Sequence, residues 1–364
     1  MLFRCVILVG IFALSGCAEP RLFTLTGPNP GEVTDILVAT SRGPSIDPEL
    51  MFEGERSDQL SYYALDISVP PIRKAGEIRY PTQNPDPQRD FLAINQTNLD
   101  TERRFRAAID DTLRNTSQSD QTVFLFVHGY NVSHPEAVFR AAQLRVDLNI
   151  EGPTVLYSWP SAGRISRYAY DRDSALFARE GLAELLTTLS QTRAKNIIIL
   201  AHSMGTAVTL EALRTLSLSG NDRVLDRIQA VMLAQPDIDN DVFRRQILST
   251  NRPDIPILIT CSEHDYVLWV SSIITGGHPR VGGKCEKDAL GNIGILAIDT
   301  AEINDGAFNG HEDFATSPTM LSILGSDQLG QALREGDPGG SILLQGVANA
   351  SFAVAYLPVL IFAQ

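Results

Sequence analysis

Residues 196–213 constrain the fold of this chain more than any other stretch. The unbroken apolar run at 197–200 indicates a strand that is buried on both faces. A helix-forming segment follows it, and between the two stands the pentad AHSMG, with Ser203 at its centre. The stretch therefore predicts a strand, a sharp turn and a helix in immediate succession.

A turn of this kind brings reactive groups together. It holds its central residue in a strained backbone conformation, which lifts the hydroxyl of Ser203 above the sheet. The small residues Ala201 and Gly205 let the strand and helix backbones pass closely. The amide of Met204 lies at a helix N-terminus, where developing negative charge is favoured. We interpret the turn as a nucleophile with half of an oxyanion hole, although such a pentad also occurs by chance.

The rest of the chain alternates between strands and helices. Strand signals occur at 123–127, 154–159, 230–233, 257–261 and 293–298, and helical periodicities at 102–113, 135–148, 174–189, 206–216, 266–274 and 319–334. Alternation predicts a parallel sheet covered by helices on both faces, with ligands at the carboxyl ends of the strands. Two earlier strands, 33–39 and 61–69, are expected to form an antiparallel pair, and residues 72–96 an irregular surface segment.

Four motifs carry a resemblance to a known family. The pentad AHSMG, together with FLFVHGYN, SWPS and AQPDID, resembles the α/β-hydrolase superfamily, and more closely its bacterial esterase-like branch named domain of unknown function nine hundred. The resemblance covers residues 33–335 and implies one domain with the α/β-hydrolase fold. That fold is a mostly parallel, doubly covered sheet with antiparallel N-terminal strands. The implied activity is a serine hydrolase that cleaves carboxylic esters through an acyl-enzyme.

Acyl transfer also needs a base and a carboxylate that orients it. His311, just past the last predicted strand, completes the order serine, acid, histidine. Asp265 follows the preceding strand, where the superfamily usually places its acid. The alternatives for this carboxylate are Asp237, Asp239 and Glu263. Five other histidines compete for the role of the base: His128 and His202 are expected to support loops, His134 lies at a helix start, His278 lies in a loop with Gly and Pro, and His264 adjoins a better acid.

Further site features follow from the loops at the strand ends. Gly129 permits a turn that points the amide of Tyr130 into the site as the second oxyanion donor, although the HG pair also suits a tight turn alone. Trp159 ends the next strand, either in the core or at the rim of the cleft. Residues 162–172 are the candidate lid, and their charges form either a solvated face or an anion clamp.

Composition narrows the function classes. A formal net charge of -13 makes nucleic acid a poor partner, and no cysteine or histidine cluster has the spacing of zinc ligands. We expect no metal and no cofactor, and a small-molecule ester as substrate. The competing readings are a catalytically inactive hydrolase-fold envelope lipoprotein, and an acyltransferase or lipase that uses the same triad.

The N-terminus predicts export. Residues 1–16 combine a basic start with an apolar core that is too short to span a membrane. The tetrad LSGC resembles the bacterial lipobox, which implies cleavage before Cys17 and lipidation of that residue; a plain signal peptide is the alternative. We expect a lipid-anchored protein of the cell envelope, with Ala18 favouring the outer membrane and its periplasmic face, and a tether at 17–32.

Two further features stay open at the level of sequence. Export favours a disulfide between Cys261 and Cys285, but two free thiols fit the sequence equally well. The C-terminal tail, 336–364, has no charged residue after Asp337. It either lies on the hydrolase core or contacts a membrane.

Overall fold

A computed structural model describes residues 20–117, 121–285, 295–303, 305–306, 310–326 and 329, with the backbone of 359–361. The predicted signal peptide at 1–16 and Cys17 lie outside this range, as does the tail apart from 359–361. Within the described residues, no helix has the length and apolar character that a bilayer crossing requires.

The described strands form one sheet in the order β10-β9-β8-β7-β6-β4-β5-β1-β2-β3. They are β1 Glu32–Pro44, β2 Phe52–Val69, β3 Leu92–Asn98, β4 Thr122–Val127, β5 Thr154–Ser158, β6 Asn196–His202, β7 Ile228–Ala234, β8 Ile257–Cys261, β9 Leu296–Asp299 and β10 Val359–Ile361. Neighbours from β9 through to β1 run parallel, whereas β2, β3 and β10 pair antiparallel. The predicted mostly parallel sheet with antiparallel N-terminal strands is confirmed.

Helices connect the parallel strands and begin at recognisable caps. They are α1 Glu102–Asn115, α2 His134–Asp147, α3 Tyr168–Ser190, α4 Met204–Leu218, α5 Asp222–Leu225, α6 Asn240–Thr250, α7 Tyr266–Ile274, α8 Asp313–Thr316 and α9 Pro318–Leu324. The Thr101 hydroxyl accepts from the amide of Arg104 at the start of α1, and the carboxylate of Glu136 accepts from the amide of Ser133 at the start of α2. Such caps satisfy amides that would otherwise lack partners.

The sheet separates two apolar cores because successive strand residues point to opposite faces. In β4, Val123, Leu125 and Val127 join the core beneath α1, α3 and α4. Phe124 and Phe126 join the other core, which holds Phe139 of α2 and Met320 of α9. Both faces are therefore covered, and the polar site residues are confined to the edge where the parallel strands end.

Two elements are missing from the strands and helices that were expected from the sequence. Residues 72–96 were expected to be irregular, but β3 begins at Leu92 and pairs with β2. As an edge strand it buries only Leu92 and Ala93, so it has no apolar alternation to detect. Helix α6 was not predicted, since among its residues Phe243 is the only buried apolar side chain.

The described part of the expected tether lies against the domain. The side chain of Leu22 is buried, and Arg21 forms ion pairs with Asp47 and Glu49 in the turn after β1. The amide of Leu25 donates to the carbonyl of Ala93 at 2.7 Å. Backbone pairing and two ion pairs thus hold residues 21–25 along the sheet.

Candidate active site

The turn at Ser203 has the predicted strained geometry. Ser203 follows β6 with φ 50° and ψ -121°, and α4 begins at the next residue. A non-glycine residue in this region of backbone space costs about 1–3 kcal/mol, and such strain concentrates at functional sites. At Gly205, an added Cβ would lie 2.2 Å from the carbonyl oxygen of His128. Only glycine therefore allows α4 to start this close to the loop after β4.

The loop after β4 passes directly beside the serine. An added Cβ at Gly129 would lie 3.0 Å from the Cβ of Ser203. Tyr130 follows, and its hydroxyl donates to the carbonyl of Ile165 across the cavity. The amide of Met204 is in the first turn of α4, where backbone amides have no partner within the helix. The structure thus brings together the two backbone segments that were predicted to bind an oxyanion.

His311 and Asp265 form a buried pair. Nδ1 of His311 lies 2.7 Å from Oδ2 of Asp265, and both side chains are almost fully inaccessible. Asp265 is also the N-cap of α7, where its Oδ1 accepts from the amide of Leu268 at 2.9 Å. The carboxylate is therefore held in place by the helix that it caps. A histidine that donates from Nδ1 presents Nε2 as the nitrogen that exchanges protons.

The pair shifts the titration of the imidazole. Burial alone lowers the pKa of His311, but the charge of Asp265 and its hydrogen bond to the ring outweigh burial, and the pKa is raised above the usual 6.5. A base with a raised pKa has a stronger affinity for a proton taken from a hydroxyl.

His202 supports His311 from the serine side. Its Nε2 donates to the carbonyl oxygen of His311 at 3.0 Å, and the two rings are 4.8 Å apart. Burial, together with the neighbouring positive charge of His311, lowers the pKa of His202 well below 6.5. His202 therefore stays neutral and connects the residue before Ser203 to the His311 loop. Ser203, His202 and His311 line one cavity of about 490 Å³.

The alternative acids have other partners. Asp237 also lines the cavity, but it accepts from Ser271 at 2.5 Å and from Tyr168 at 3.0 Å, and lies 3.3 Å from Nε of Arg280. Asp239 caps α6, and Glu263 is exposed. Among these carboxylates, the structure pairs Asp265 with His311.

The other four histidines have different surroundings. His128 stacks on Trp159 at 5.1 Å and His134 is buried against Ser158, so both support loops. His264 and His278 are exposed. Trp159 is fully buried, and its indole donates to the carbonyl of His128 at 2.6 Å. It is therefore part of the core beneath the cavity and does not reach the cleft rim.

Sequence reasoning missed Arg42, a buried cation at the end of β1. Its guanidinium donates to Ser158, to the carbonyls of Ser161 and Val132, and lies 3.3 Å from Nε2 of His128. Burial lowers its pKa to about 10, so it remains charged at neutral pH. Arg42 therefore joins the loops that follow β4 and β5, one of which passes beside Ser203.

Asp171 was also missed, and it fixes the candidate lid. It is buried in the first turns of α3 and accepts from the Ser161 hydroxyl at 2.6 Å and from the amides of Ala162 and Asn131. Burial raises its pKa despite these hydrogen bonds. Residues 162–172 contain a short 3-10 helix, Ile165–Arg167, and then the start of α3. This segment covers one side of the cavity and is tied down at both ends.

A disulfide closes the region behind the acid. Cys261 ends β8 and is bonded to Cys285, with their Cα atoms 5.6 Å apart. The open question of pairing is thereby answered in favour of the bond. The disulfide links β8, the strand that leads to Asp265, with Cys285. Among the described residues, no group of three or more His, Cys, Asp or Glu is placed to hold a metal ion.

Comparison with known proteins identifies a family. A family model described as alpha/beta hydrolase of unknown function (DUF900) matches residues 102–327, a range that contains Ser203, Asp265 and His311. No curated protein sequence matches the chain. A solved structure, that of Aspergillus fumigatus lipase B, aligns at 12% identity and a TM-score of 0.29. That alignment covers 40% of this chain and only 38% of the lipase, so nothing further is drawn from it.

Proposed function

Because the chain belongs to this family of alpha/beta hydrolases of unknown function, we propose that it is a serine hydrolase that cleaves carboxylic esters through an acyl-enzyme on Ser203. His311 is the general base in this proposal, and Asp265 orients it. The amides of Tyr130 and Met204 bind the oxyanion. The observation that carries the proposal is the buried pair of His311 and Asp265, together with the position of His311 on the same cavity as Ser203, a serine at φ 50°.

The reaction proceeds in two halves. Nε2 of His311 takes the proton of the Ser203 hydroxyl as the oxygen attacks the ester carbonyl, and the resulting oxyanion accepts from the two amides. Collapse of this tetrahedral species breaks the ester bond, and His311 returns the proton to the departing alcohol. In the second half, His311 takes a proton from water, which attacks the acyl-enzyme and releases the acid and Ser203. Each oxyanion donor contributes about 3 kcal/mol, roughly a hundredfold in rate.

Hydrolysis of a short p-nitrophenyl ester tests the proposal. Ser203→Ala should lower kcat/KM by more than about 10⁴-fold, since no other group replaces the nucleophile. The matched control is Ser219→Ala, which removes an exposed hydroxyl after α4 and should leave the rate unchanged. If wild type and Ser203→Ala hydrolyse the ester at equal rates, the proposal is wrong. If wild type shows no turnover of any ester, the inactive-lipoprotein alternative replaces it.

For location, we propose lipidation at Cys17 and attachment to a membrane of the bacterial envelope, on the periplasmic face of the outer membrane. The lipobox-like tetrad supports this proposal.

A further inference from the structure

Helix α7 exposes an unusual amount of apolar surface. Its sequence, YVLWVSSII, contains no charged residue. Its exposed side chains, together with one residue of the facing 3-10 helix, form a surface that we call the apolar rim. The accessible fractions of its residues are 78% for Ile165, 63% for Tyr266, 55% for Trp269, 54% for Ile273 and 61% for Ile274. Contiguous exposed apolar groups of this size mark binding surfaces on soluble domains.

The apolar rim is continuous with the cavity. Ile165, Tyr266 and Ile274 belong both to the exposed rim and to the cavity lining, which also contains Ser203. The two sides of the rim are joined across the mouth, because the Tyr168 hydroxyl lies 2.8 Å from the hydroxyl of Ser271 in α7. Suppose that the apolar rim is bound to a surface that holds an apolar acyl chain. The chain could then move from that surface into the cavity without passing through water.

Charge and aromatic content favour a lipid surface over an apolar protein patch. Arg164 and Arg167 are exposed on either side of Ile165, in a chain whose net charge is -13, whereas the next exposed cation, Arg172, has Asp173 beside it. Basic side chains beside an apolar surface are attracted to anionic headgroups. Tyr266 and Trp269, whose rings are 5.2 Å apart, are the residue types that lie at membrane–water interfaces.

We propose that the apolar rim docks onto an anionic lipid surface, from which the site takes an ester with a long apolar acyl chain. The docking is inferred from the apolar rim and from the neighbouring Arg164 and Arg167. The substrate class rests, in addition, on the proposed function. Docking supplies the apolar contact that α7 lacks in the folded domain, and the cavity receives the acyl chain next to Ser203.

Tryptophan fluorescence gives a direct test, because the chain has only two tryptophans and Trp159 is fully buried while Trp269 is exposed. The chain from residue 17, with Cys17→Ala so that no lipid is attached, is mixed with phosphatidylglycerol vesicles or with phosphatidylcholine vesicles. We expect flotation with phosphatidylglycerol vesicles and a blue shift of the emission, both weakened by salt. Trp269→Phe should still float but lose the shift.

Two double variants test whether vesicle binding depends on the apolar rim itself or on exposed apolar side chains in general. Trp269→Gln with Ile273→Gln should weaken vesicle partitioning by roughly tenfold or more, since each side chain loses its apolar burial in the interface. Neither residue lines the cavity, so hydrolysis of a short soluble ester should be unchanged while hydrolysis of a long-chain ester carried in vesicles falls. The matched control, Leu218→Gln with Leu248→Gln, alters exposed leucines at the opposite edge of the sheet and should behave as wild type.

Two results would overturn the docking: no flotation of wild type with phosphatidylglycerol vesicles, or equal flotation of the rim variant. A doubling of the solution mass that the rim variant abolishes would instead assign the rim to a second copy of this chain. Ser203→Ala should float like wild type. If wild type floats but hydrolyses no ester, the docking surface stands and the proposed function fails. If it prefers short soluble esters even with vesicles present, the substrate class is wrong.

Discussion

At the scale of single residues, the identity of the orienting acid is tested by pH dependence. Protonated His311 cannot accept the serine proton, so kcat/KM should rise with pH through the raised pKa of His311 and level off above it. In Asp265→Asn the imidazole loses its largest stabilising charge, and its pKa falls. The rising limb of the pH profile should then move to lower pH, and the plateau value of kcat/KM should drop by up to about 10⁴-fold.

Asp237→Asn is the matched control for this prediction, because Asp237 faces the same cavity and raises the pKa of His311 less than Asp265 does. Its pH profile should stay close to that of wild type. A large acid shift in Asp237→Asn, with Asp265→Asn unaffected, would move the role of the acid to the loop after β7.

The candidate catalytic residues could be proposed from the sequence because a motif and a chain order mark them. Ser203 has its pentad, and Asp265 and His311 follow successive strands. No sequence motif and no expected chain order points to Arg42 or Asp171. The contact of Arg42 with Ser158 spans 116 positions, and that of Asp171 with Asn131 spans 40. A buried ion is recognisable only when its surroundings are known, since its residue type is normally exposed.

At the scale of elements, the disulfide should stabilise the segment that carries the acid. Cys261 and Cys285 are separated by 24 positions, for which the loss of unfolded-chain entropy corresponds to about 3 kcal/mol. Reduction should lower the free energy of unfolding by that amount, and the denaturant midpoint of unfolding should fall accordingly. It should also lower kcat/KM, because β8 positions Asp265. The double variant Cys261→Ala, Cys285→Ala should be insensitive to reductant, and a wild-type midpoint unchanged by reductant would refute the prediction.

Elements were predictable where apolar periodicity was strong. Helix α1 buries Phe105, Ile109 and Leu113 at regular spacing, and its predicted start matches the structure. Edge strand β3 and helix α6 bury little apolar surface, and neither was predicted. Helix α3 begins at Tyr168, ahead of the predicted 174, because Asp171 and Ser174 are buried through tertiary contacts. Polar residues at such positions conceal the start of a helix from pattern analysis.

At the scale of the whole molecule, the proposed lipid anchor has its own test. Expressed in a bacterium, the wild-type chain should incorporate labelled palmitate and sediment with membranes. Cys17→Ala should abolish the labelling, whereas Cys5→Ala, within the proposed signal peptide, should not. Equal labelling of wild type and Cys17→Ala would refute lipidation at this position. The weaker membrane contact of the apolar rim should then account for any remaining sedimentation.

The mostly parallel, doubly covered sheet could be predicted from the alternation of strands and helices together with the family resemblance. The order of the strands in the sheet could not be predicted from either. Strand β1 joins the parallel sheet beside β5, and β10 adds an antiparallel strand at the other edge. Strand pairing depends on contacts that are distant in sequence, so a local pattern cannot select among neighbours. Strands β4, β6 and β8 nevertheless carry the site to one edge, as parallel order requires.

The most direct measurement is the location of a fluorophosphonate adduct. A phosphonyl fluoride reacts with a serine only where a base and an oxyanion site activate its hydroxyl. After labelling of the folded chain, digestion and mass spectrometry, we expect one adduct, on the peptide that contains Ser203, and its loss after unfolding in urea before labelling. Labelling at another serine, or none at all in the folded chain, would contradict the assignment of Ser203, Asp265 and His311.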